Sequence, residues 1–504
     1  MSSDKTVVEN IDEISAEMTQ KSLFGTIEDP EKHTEQSLAY DPVLERKLRL
    51  KIDLMVVPTV ALLYLFCFID RANIGNARIA GLEKDIDMRG LDYNATLSVF
   101  YISYIIFEIP ANILCKIMGP GWFLPLTTLL FGVCSIGTAF VNTVPQLMGV
   151  RFLLGILEAG MLPGIAYYLS RWYRRAELGF RLSLYIVMAP LAGAFGGLLA
   201  SAILRVDHFG SLHSWRMIFA VEGIITVLLA LLGFITLTDR PATARWLTQA
   251  EKDLAEARVR SERVGQTPVL DKMDALKLRR GIFCPITLAT SFVFLLGNVT
   301  VQGLAFFLPT IVRSIYPTSS VQRQQLFTVP PYIAGAFFTV LLPLLSWRLD
   351  RRQIFFIMSA PLAMVGYVMF LASKELSVRY GATFLIASSV FALGALTNAQ
   401  VSANVVSDTA RSSAIGTNVM FGNIGGLIST WSFLPWDGPN YPIGNGLNLA
   451  TCSVMLLTST LTLLWMKRDN RRREGRNLEE ELRGISKEEE SNLDWKHPSF
   501  RWKL

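Results

Sequence analysis

The chain has 504 residues, of which 51% are hydrophobic and only 18% charged. Soluble domains carry about 25% charged residues, so this composition excludes a soluble enzyme or binding module. The net charge of +6 does not point to nucleic acid, because the basic residues gather in short loops between apolar stretches, where the positive-inside rule places them.

Residues 1–50 form a polar N-terminal segment, acidic over most of its length and expected to be disordered. It ends in a basic juxtamembrane run, ERKLRLK at 45–51. No cleavable signal peptide is visible. Apolar stretches of about 20 residues follow, each long enough to cross a hydrocarbon core of about 30 Å. The first six cover 53–72, 93–115, 122–141, 145–170, 182–204 and 216–238. A polar segment over 241–281 then separates them from six more, at 282–312, 326–347, 353–373, 381–406, 412–434 and 447–466. The charged remainder, 469–504, is expected to be a soluble tail.

The loops give the orientation. Arg171, Arg174, Arg175 and Arg181 follow the fourth stretch. Arg258, Arg260, Arg263, Lys272, Lys277, Arg279 and Arg280 lie in the central segment, and Arg348, Arg351 and Arg352 follow the eighth. The loops after the third and eleventh stretches contain no Lys or Arg. All strongly basic loops therefore fall on one side, and both termini are expected in the cytoplasm. The pattern predicts an all-α polytopic membrane protein: an N-terminal six-helix bundle at 51–240, a cytoplasmic central loop at 241–281 and a C-terminal six-helix bundle at 282–468.

Charged residues inside the apolar stretches are the first candidates for function, because burying a charge in hydrocarbon costs about 2.5 kcal/mol or more. Arg151 and Glu158 are seven residues apart on one helix face, separated by about 10 Å along the axis. That spacing is too long for a simple pair and suits two groups lining one cavity. Arginine can grip a carboxylate through two nitrogens, so Arg151 is a candidate for anion binding or for control of Glu158. Asp70 and Arg71 stand at the end of the first stretch. They read either as a titrating carboxylate with its cation, or as an interfacial pair snorkelling to the headgroups.

Glu108 reads as a third titrating group or as a brace for the break made by Pro110. Glu222 is expected to be a structural partner for a loop arginine. Tyr101 and Tyr104 combine an aromatic face with a polar tip, which suits a planar carboxylate. Gln302, Asn398, Gln400, Asn404, Asn418 and Asn423 are uncharged hydrogen-bonding groups at membrane depth, some lining the path and others bridging helices. Gln302, Asn418 and Asn423 are the preferred path residues. Gly193, Gly196, Gly197, Gly422, Gly425 and Gly426 read as helix-packing surfaces. The five cysteines show no metal-site spacing and are expected to be free, buried thiols. No histidine lies in an apolar stretch, so no metal or other cofactor is expected, and neither is an enzymatic activity.

The segments 68–81 (FIDRANIGNARIAG), 104–114 (YIIFEIPANIL), 151–164 (RFLLGILEAGMLPG), 214–223 (SWRMIFAVEG) and 421–449 together resemble the major facilitator superfamily. Within it they are most similar to the anion:cation symporter branch and its fungal allantoate and nicotinate permeases. The short loop after the second stretch departs from that family's usual Asp-Arg pattern, with Lys116, Gly119, Pro120 and Gly121. Leu349, Asp350 and Arg351 keep more of it.

The resemblance implies twelve transmembrane helices in two six-helix bundles and proton-coupled uptake of a small organic carboxylate by alternating access. Asp70, Glu158 and Glu108 would be the proton-coupling groups. Arg71, Arg151, Tyr101, Tyr104, Gln302, Asn418 and Asn423 would bind substrate. The expected partners are a carboxylate such as nicotinate, protons and the lipid bilayer, and the expected location is the plasma membrane. Two alternatives stand beside this one. The first is a proton-driven exporter of the same fold, although Ala189 precedes Pro190 where drug antiporters carry glycine. The second is a non-transporting nutrient sensor, which would call for a long structured tail.

Overall fold

The computed structural model describes residues 42–173, 177, 181, 184–206, 208, 210–261, 275–475, 481–482 and 493–504. The N-terminal segment before residue 42, Arg174, Arg175 and the central-loop residues 262–274 lie outside the described residues. The described chain divides at Lys51. Residues 42–51 form the opening turns of the first helix, and everything below concerns residues 52–504.

Twelve long helices appear among the described residues. They are α1 (Pro42–Ile79), α2 (Asp92–Met118), α3 (Pro120–Thr138), α4 (Val144–Ser170), α5 (Leu184–Ile203) and α6 (Trp215–Thr236). The second set is α7 (Pro285–Ile315), α8 (Val321–Leu349), α9 (Gln353–Ala372), α10 (Leu376–Ala403), α11 (Asp408–Ser429) and α12 (Pro442–Glu474). Eleven are long and apolar enough to cross a membrane. The exception is α11, 22 residues long but rich in Ser, Thr, Asn and Gly. Its polarity is tolerable because its amides bond to neighbouring helices rather than facing lipid.

Lipid supplies no water to satisfy backbone groups, so helices are the natural spanning element. What faces outward is apolar. Ile102, Ile106, Ile109, Ile113 and Ile117 are all exposed, and their spacing of three and four makes one stripe down α2. On its other face Tyr101, Tyr104, Glu108 and Cys115 are buried. Helix α2 thus presents hydrocarbon to the membrane and chemistry to the interior.

The two sets repeat one arrangement. Helix α3 lies along α6 as α9 lies along α12, and α2 along α4 as α8 lies along α10. Helices α4 and α10 are each interrupted by one turn, at residues 159–160 and 391–392. Interruptions at corresponding positions of two halves mark where transporters place their sites. The halves meet mainly where α5 packs on α8 and α2 on α11. Small residues permit this: a Cβ on Gly193 would stand 2.5 Å from the Tyr332 ring, and one on Gly426 would stand 2.6 Å from that of Tyr101.

Hydrogen bonds between the halves gather toward one end. Asn94 donates to the Thr430 carbonyl at 2.6 Å, and Ser98 lies 2.7 Å from the Thr430 hydroxyl. Tyr93 donates to the Phe306 carbonyl at 3.2 Å, and Gln325 donates to the Asn76 carbonyl at 3.1 Å. This is the far face, opposite the near face at which α12 ends. At the near face Arg171 pairs with Asp239 at 3.0 Å, and Asp239 also fills the space beside Gly119 in the short α2–α3 turn. Arg181 grips Asp53 through two nitrogens at 2.9 and 2.7 Å.

The C-terminal stretch departs from the expected soluble tail. Helix α12 continues to Glu474, and residues 493–504 fold back against the near face, with Trp502 2% exposed. The apolar rings account for this: Trp495 and Phe500 both pack against Trp502, which in turn packs against Trp465 of α12.

Candidate functional site

Five charged side chains converge between α1, α4 and α6: Asp70, Arg71, Arg151, Glu158 and Glu222, all less than a tenth exposed. Helix α1 runs on to Ile79, so Asp70 and Arg71 sit well inside it. Their burial rules out the interfacial snorkelling pair.

Arg71 is the centre. Its Nε donates to Glu158 Oε2 at 2.6 Å. Phe68, Phe100 and Tyr104 surround the guanidinium, with ring centroids 4.8, 5.2 and 4.8 Å from Cζ. Aromatic faces attract a cation while excluding water, so this charge stays buried without a full set of hydrogen bonds. Cys67, one turn before Arg71, donates its thiol to Glu158 Oε2 at 3.3 Å and accepts from Arg71 Nη2 at 3.6 Å. Glu158 is the last helical residue before the α4 interruption. The seven-residue spacing therefore leads to a partner on α1, and Glu158 pairs with Arg71, not Arg151.

Asp70 accepts from the Ser135 hydroxyl of α3 at 2.9 Å. Arg151 lies over the Phe219 ring at 5.7 Å. Among the described residues its Nε and Nη2 have no hydrogen-bond partner, and neither do Asp70 Oδ2, Glu158 Oε1 and Glu222 Oε1. Glu222 is not paired with a loop arginine, because it faces inward. Asn73 donates to its Oε2, Asn76 donates to Asn73 Oδ1 at 2.8 Å, and Gln325 of α8 reaches the Asn76 carbonyl.

The charges do not balance. Three carboxyls face two guanidiniums, so the fully ionised cluster holds one negative charge in excess. An uncompensated charge in a low-dielectric interior is costly, and one added proton removes it.

The remaining candidates divide. Gln302 lines a small cavity of about 10 Å³, room for about one water, together with Arg71, Phe68, Gly193, Tyr332 and Phe391. Tyr101 is fully buried with its ring edge-on to Phe306. Helix α2 runs unbroken past Pro110, so there is no break for Glu108 to brace; its Oε2 accepts from Asn423 of α11 at 3.0 Å, joining the halves. Asn418 stands apart, donating to Asn398 Oδ1 at 3.0 Å and Thr397 Oγ1 at 3.2 Å on α10. Gln400 and Asn404 hold the C-terminal stretch through the Lys503 carbonyl, at 2.9 and 3.2 Å. Sequence reasoning missed Cys67, Ser135, Asn73 and Phe219 as members of the cluster. Cys67 and Asn73 carried a signal, standing on α1 within one turn of Arg71.

Two sets of six membrane-length helices that repeat one arrangement, with a cluster of buried charges inside the first set, define a polytopic membrane transporter. The family model "Major Facilitator Superfamily" matches residues 60–430, and the chain belongs to that superfamily. It is 30% identical to the major facilitator-type transporter hxnP of Emericella nidulans, over 89% of this chain and 91% of that protein. It is 33% identical to the MFS transporter prlL of a fungal species, covering 85% of this chain and 89% of that one. An uncharacterized transporter of Schizosaccharomyces pombe, C1683.12, is 32% identical over 85% and 87%. Among solved structures, a bacterial homologue of the lysosomal transporter Spinster superposes with a TM-score of 0.61 over 80% of this chain and 94% of its own, at 16% identity. The Escherichia coli xylose transporter XylE gives 0.60 over 80% and 98%, also at 16%. The chain is thus a multi-pass membrane transporter of a small molecule, not an enzyme.

Proposed function

We propose that this transporter belongs to the anion:cation symporter branch and carries a small organic carboxylate into the cell together with protons, with nicotinate the first candidate. Its place is the plasma membrane, with the near face cytoplasmic. The observation that supports this most is the Arg71–Glu158 pair inside its aromatic wall. A guanidinium held by a carboxylate that can be neutralised is a carboxylate receptor with a removable internal competitor. Protonation of Glu158 frees Arg71 for the substrate carboxylate, and the rings of Phe68, Phe100 and Tyr104 offer flat faces to a pyridine ring.

Asp70 is the second proton site, bonded to the Ser135 hydroxyl. Glu108 is a third titrating group, through which occupancy reaches α11. Tyr101 and Gln302 shape the substrate pocket, and Asn418 and Asn423 set the position of α11. Once substrate and protons have cancelled the excess charge, the bundles 51–240 and 282–468 rock about the site. The inward-negative potential contributes about 2.3 kcal/mol per charge per 100 mV. A monoanion therefore needs more than one proton for that potential to drive uptake, which matches two or more carboxyls in the cluster.

The test is uptake of labelled nicotinate in cells lacking their own carrier, at pH 5 and pH 7, with and without a protonophore. Accumulation favoured by acid and abolished by the protonophore supports the reading. Uptake of nicotinate indifferent to both rejects proton coupling, and no uptake rejects nicotinate.

A further inference from the structure

We propose that residues 494–504 are a clasp that binds the near-face ends of α7 to α12 into one rigid body, and that transport turnover depends on it. The segment touches that half at many separate points. Asp494 accepts from the backbone N–H groups of Val406 and Ser407 at 2.9 and 2.8 Å, at the entry to α11. Both residues lie just before α11, whose start Ser407 caps by accepting from the Ala410 N–H at 3.3 Å, so Asp494 holds the backbone of that cap in place. The Lys503 N–H donates to Asn404 Oδ1 at 2.8 Å, and the Lys503 carbonyl accepts from Gln400 and Asn404, at the end of α10. The Leu504 carbonyl accepts from the Arg352 N–H at 2.8 Å, in the turn between α8 and α9. Trp495 donates to the Arg280 carbonyl at 2.8 Å, just before α7.

The α12 end completes the grip. The Trp502 ring N–H donates to Asp469 Oδ2 at 2.7 Å, and the Asn470 side-chain amide pairs with the Trp502 backbone, donating to its carbonyl at 3.0 Å and accepting from its N–H at 2.9 Å. Arg473, itself buried, reaches the Trp495 and His497 carbonyls at 3.0 and 3.2 Å. The Trp502 ring closes a core with Cys284, Ile286, Val401, Val405, Ala410 and Met466.

Among the described residues, the contacts named above fall on 280–473, that is, on the second half and the residues that lead into α7. A brake on alternating access needs a hold on both sides of the gap, whereas a clasp confined to one side makes that side move as a unit. Helix α11, whose start it anchors, also carries Asn423 further along its length, and the bond of Asn423 to Glu108 crosses between the halves. Motion of the second half therefore reaches the site through a helix whose start the clasp holds.

The experiment uses the full chain in lipid nanodiscs beside a variant lacking residues 494–504, with hydrogen exchange and transport turnover read together, the latter in proteoliposomes. The expected result has three parts. Exchange rises at 400–411 and 349–355 but not in the first-half loops. Turnover falls severalfold at unchanged KM. A synthetic peptide of residues 493–504, added to the near face, restores both. Should the shortened chain fail to fold, Asp494→Ala and Trp502→Ala each loosen one attachment and are expected to give the same pattern in milder form. Unchanged turnover in the loosened variants overturns the proposal. So does a gain in turnover, which would make the segment a brake, or a rise in exchange spread over both halves.

Discussion

Arg71 Nε stands 2.6 Å from Glu158 Oε2, 87 residues away in sequence, with both side chains almost entirely buried. This pair ties α1 to α4 beside the α4 interruption, so one contact carries a structural and a functional load. The two are separable. A buried pair broken on one side leaves an unpaired charge and costs about 3–5 kcal/mol, whereas replacing both partners by neutral groups is often nearly neutral. Glu158→Ala alone is expected to lower the thermal stability of the purified transporter, and Arg71→Gln with Glu158→Gln to recover most of it. Neither variant is expected to transport. Melting curves beside uptake check this, and a double variant that transports would remove the pair from the mechanism.

Asp70 presents a different balance. Its neighbours are Ser135, one donor, and the nearby cation Arg151. Asp70→Asn keeps the size and the acceptor for Ser135 but cannot exchange a proton. Gradient-driven accumulation should vanish, while exchange of labelled for unlabelled substrate across the membrane continues, because exchange returns the loaded carrier without unloading protons. Counterflow and net uptake in the same proteoliposomes separate the two, and intact accumulation would exclude Asp70 as a coupling site.

How far was this legible in the sequence? The twelve elements were, because about 20 apolar residues bounded by basic loops leave few alternatives. Asp70, Arg71, Arg151 and Glu158 were visible as charges where hydrocarbon was expected. Which acid meets which base was not, since pairing follows from how α1 and α4 are set side by side, and the periodicity of one helix says nothing of its neighbour's rotation. Glu222 was placed outside for the same reason: a charge near a helix start looks interfacial until the helix is seen to run through the site. The docked C-terminal stretch was hidden by its surrounding charge. Its signal was three large aromatic residues, Trp495, Phe500 and Trp502, within the last ten positions.

The Glu108–Asn423 bond, 3.0 Å long and joining α2 to α11, tests whether the bridge or the proton matters there. Glu108→Gln retains an acceptor for the Asn423 amide. Uptake rate should then persist, with a lower accumulation ratio under a proton gradient. Asn423→Leu removes the donor and leaves the carboxyl unpartnered, at a cost of about 1–3 kcal/mol, so rate and stability should fall together. Identical behaviour of the two variants would show that the contact acts only as a tie.

The far-face seal gives the last prediction. A Cβ on Gly75 would stand 2.6 Å from the Phe306 carbonyl oxygen. That neighbour is backbone of α7, which cannot swing aside as a side chain does, so α1 and α7 must separate to admit it. The hydrogen bonds of Asn94 and Tyr93 to the second half lie at the same end and should be lost with the approach. Gly75→Ala is therefore expected to shift the population toward the form open at the far face. A cysteine placed at Thr430, now fully buried, should become reactive to a membrane-impermeant maleimide, and net transport should fall severalfold while the protein stays folded. Unchanged labelling with normal transport would mean that the two helices have room to part without opening the path.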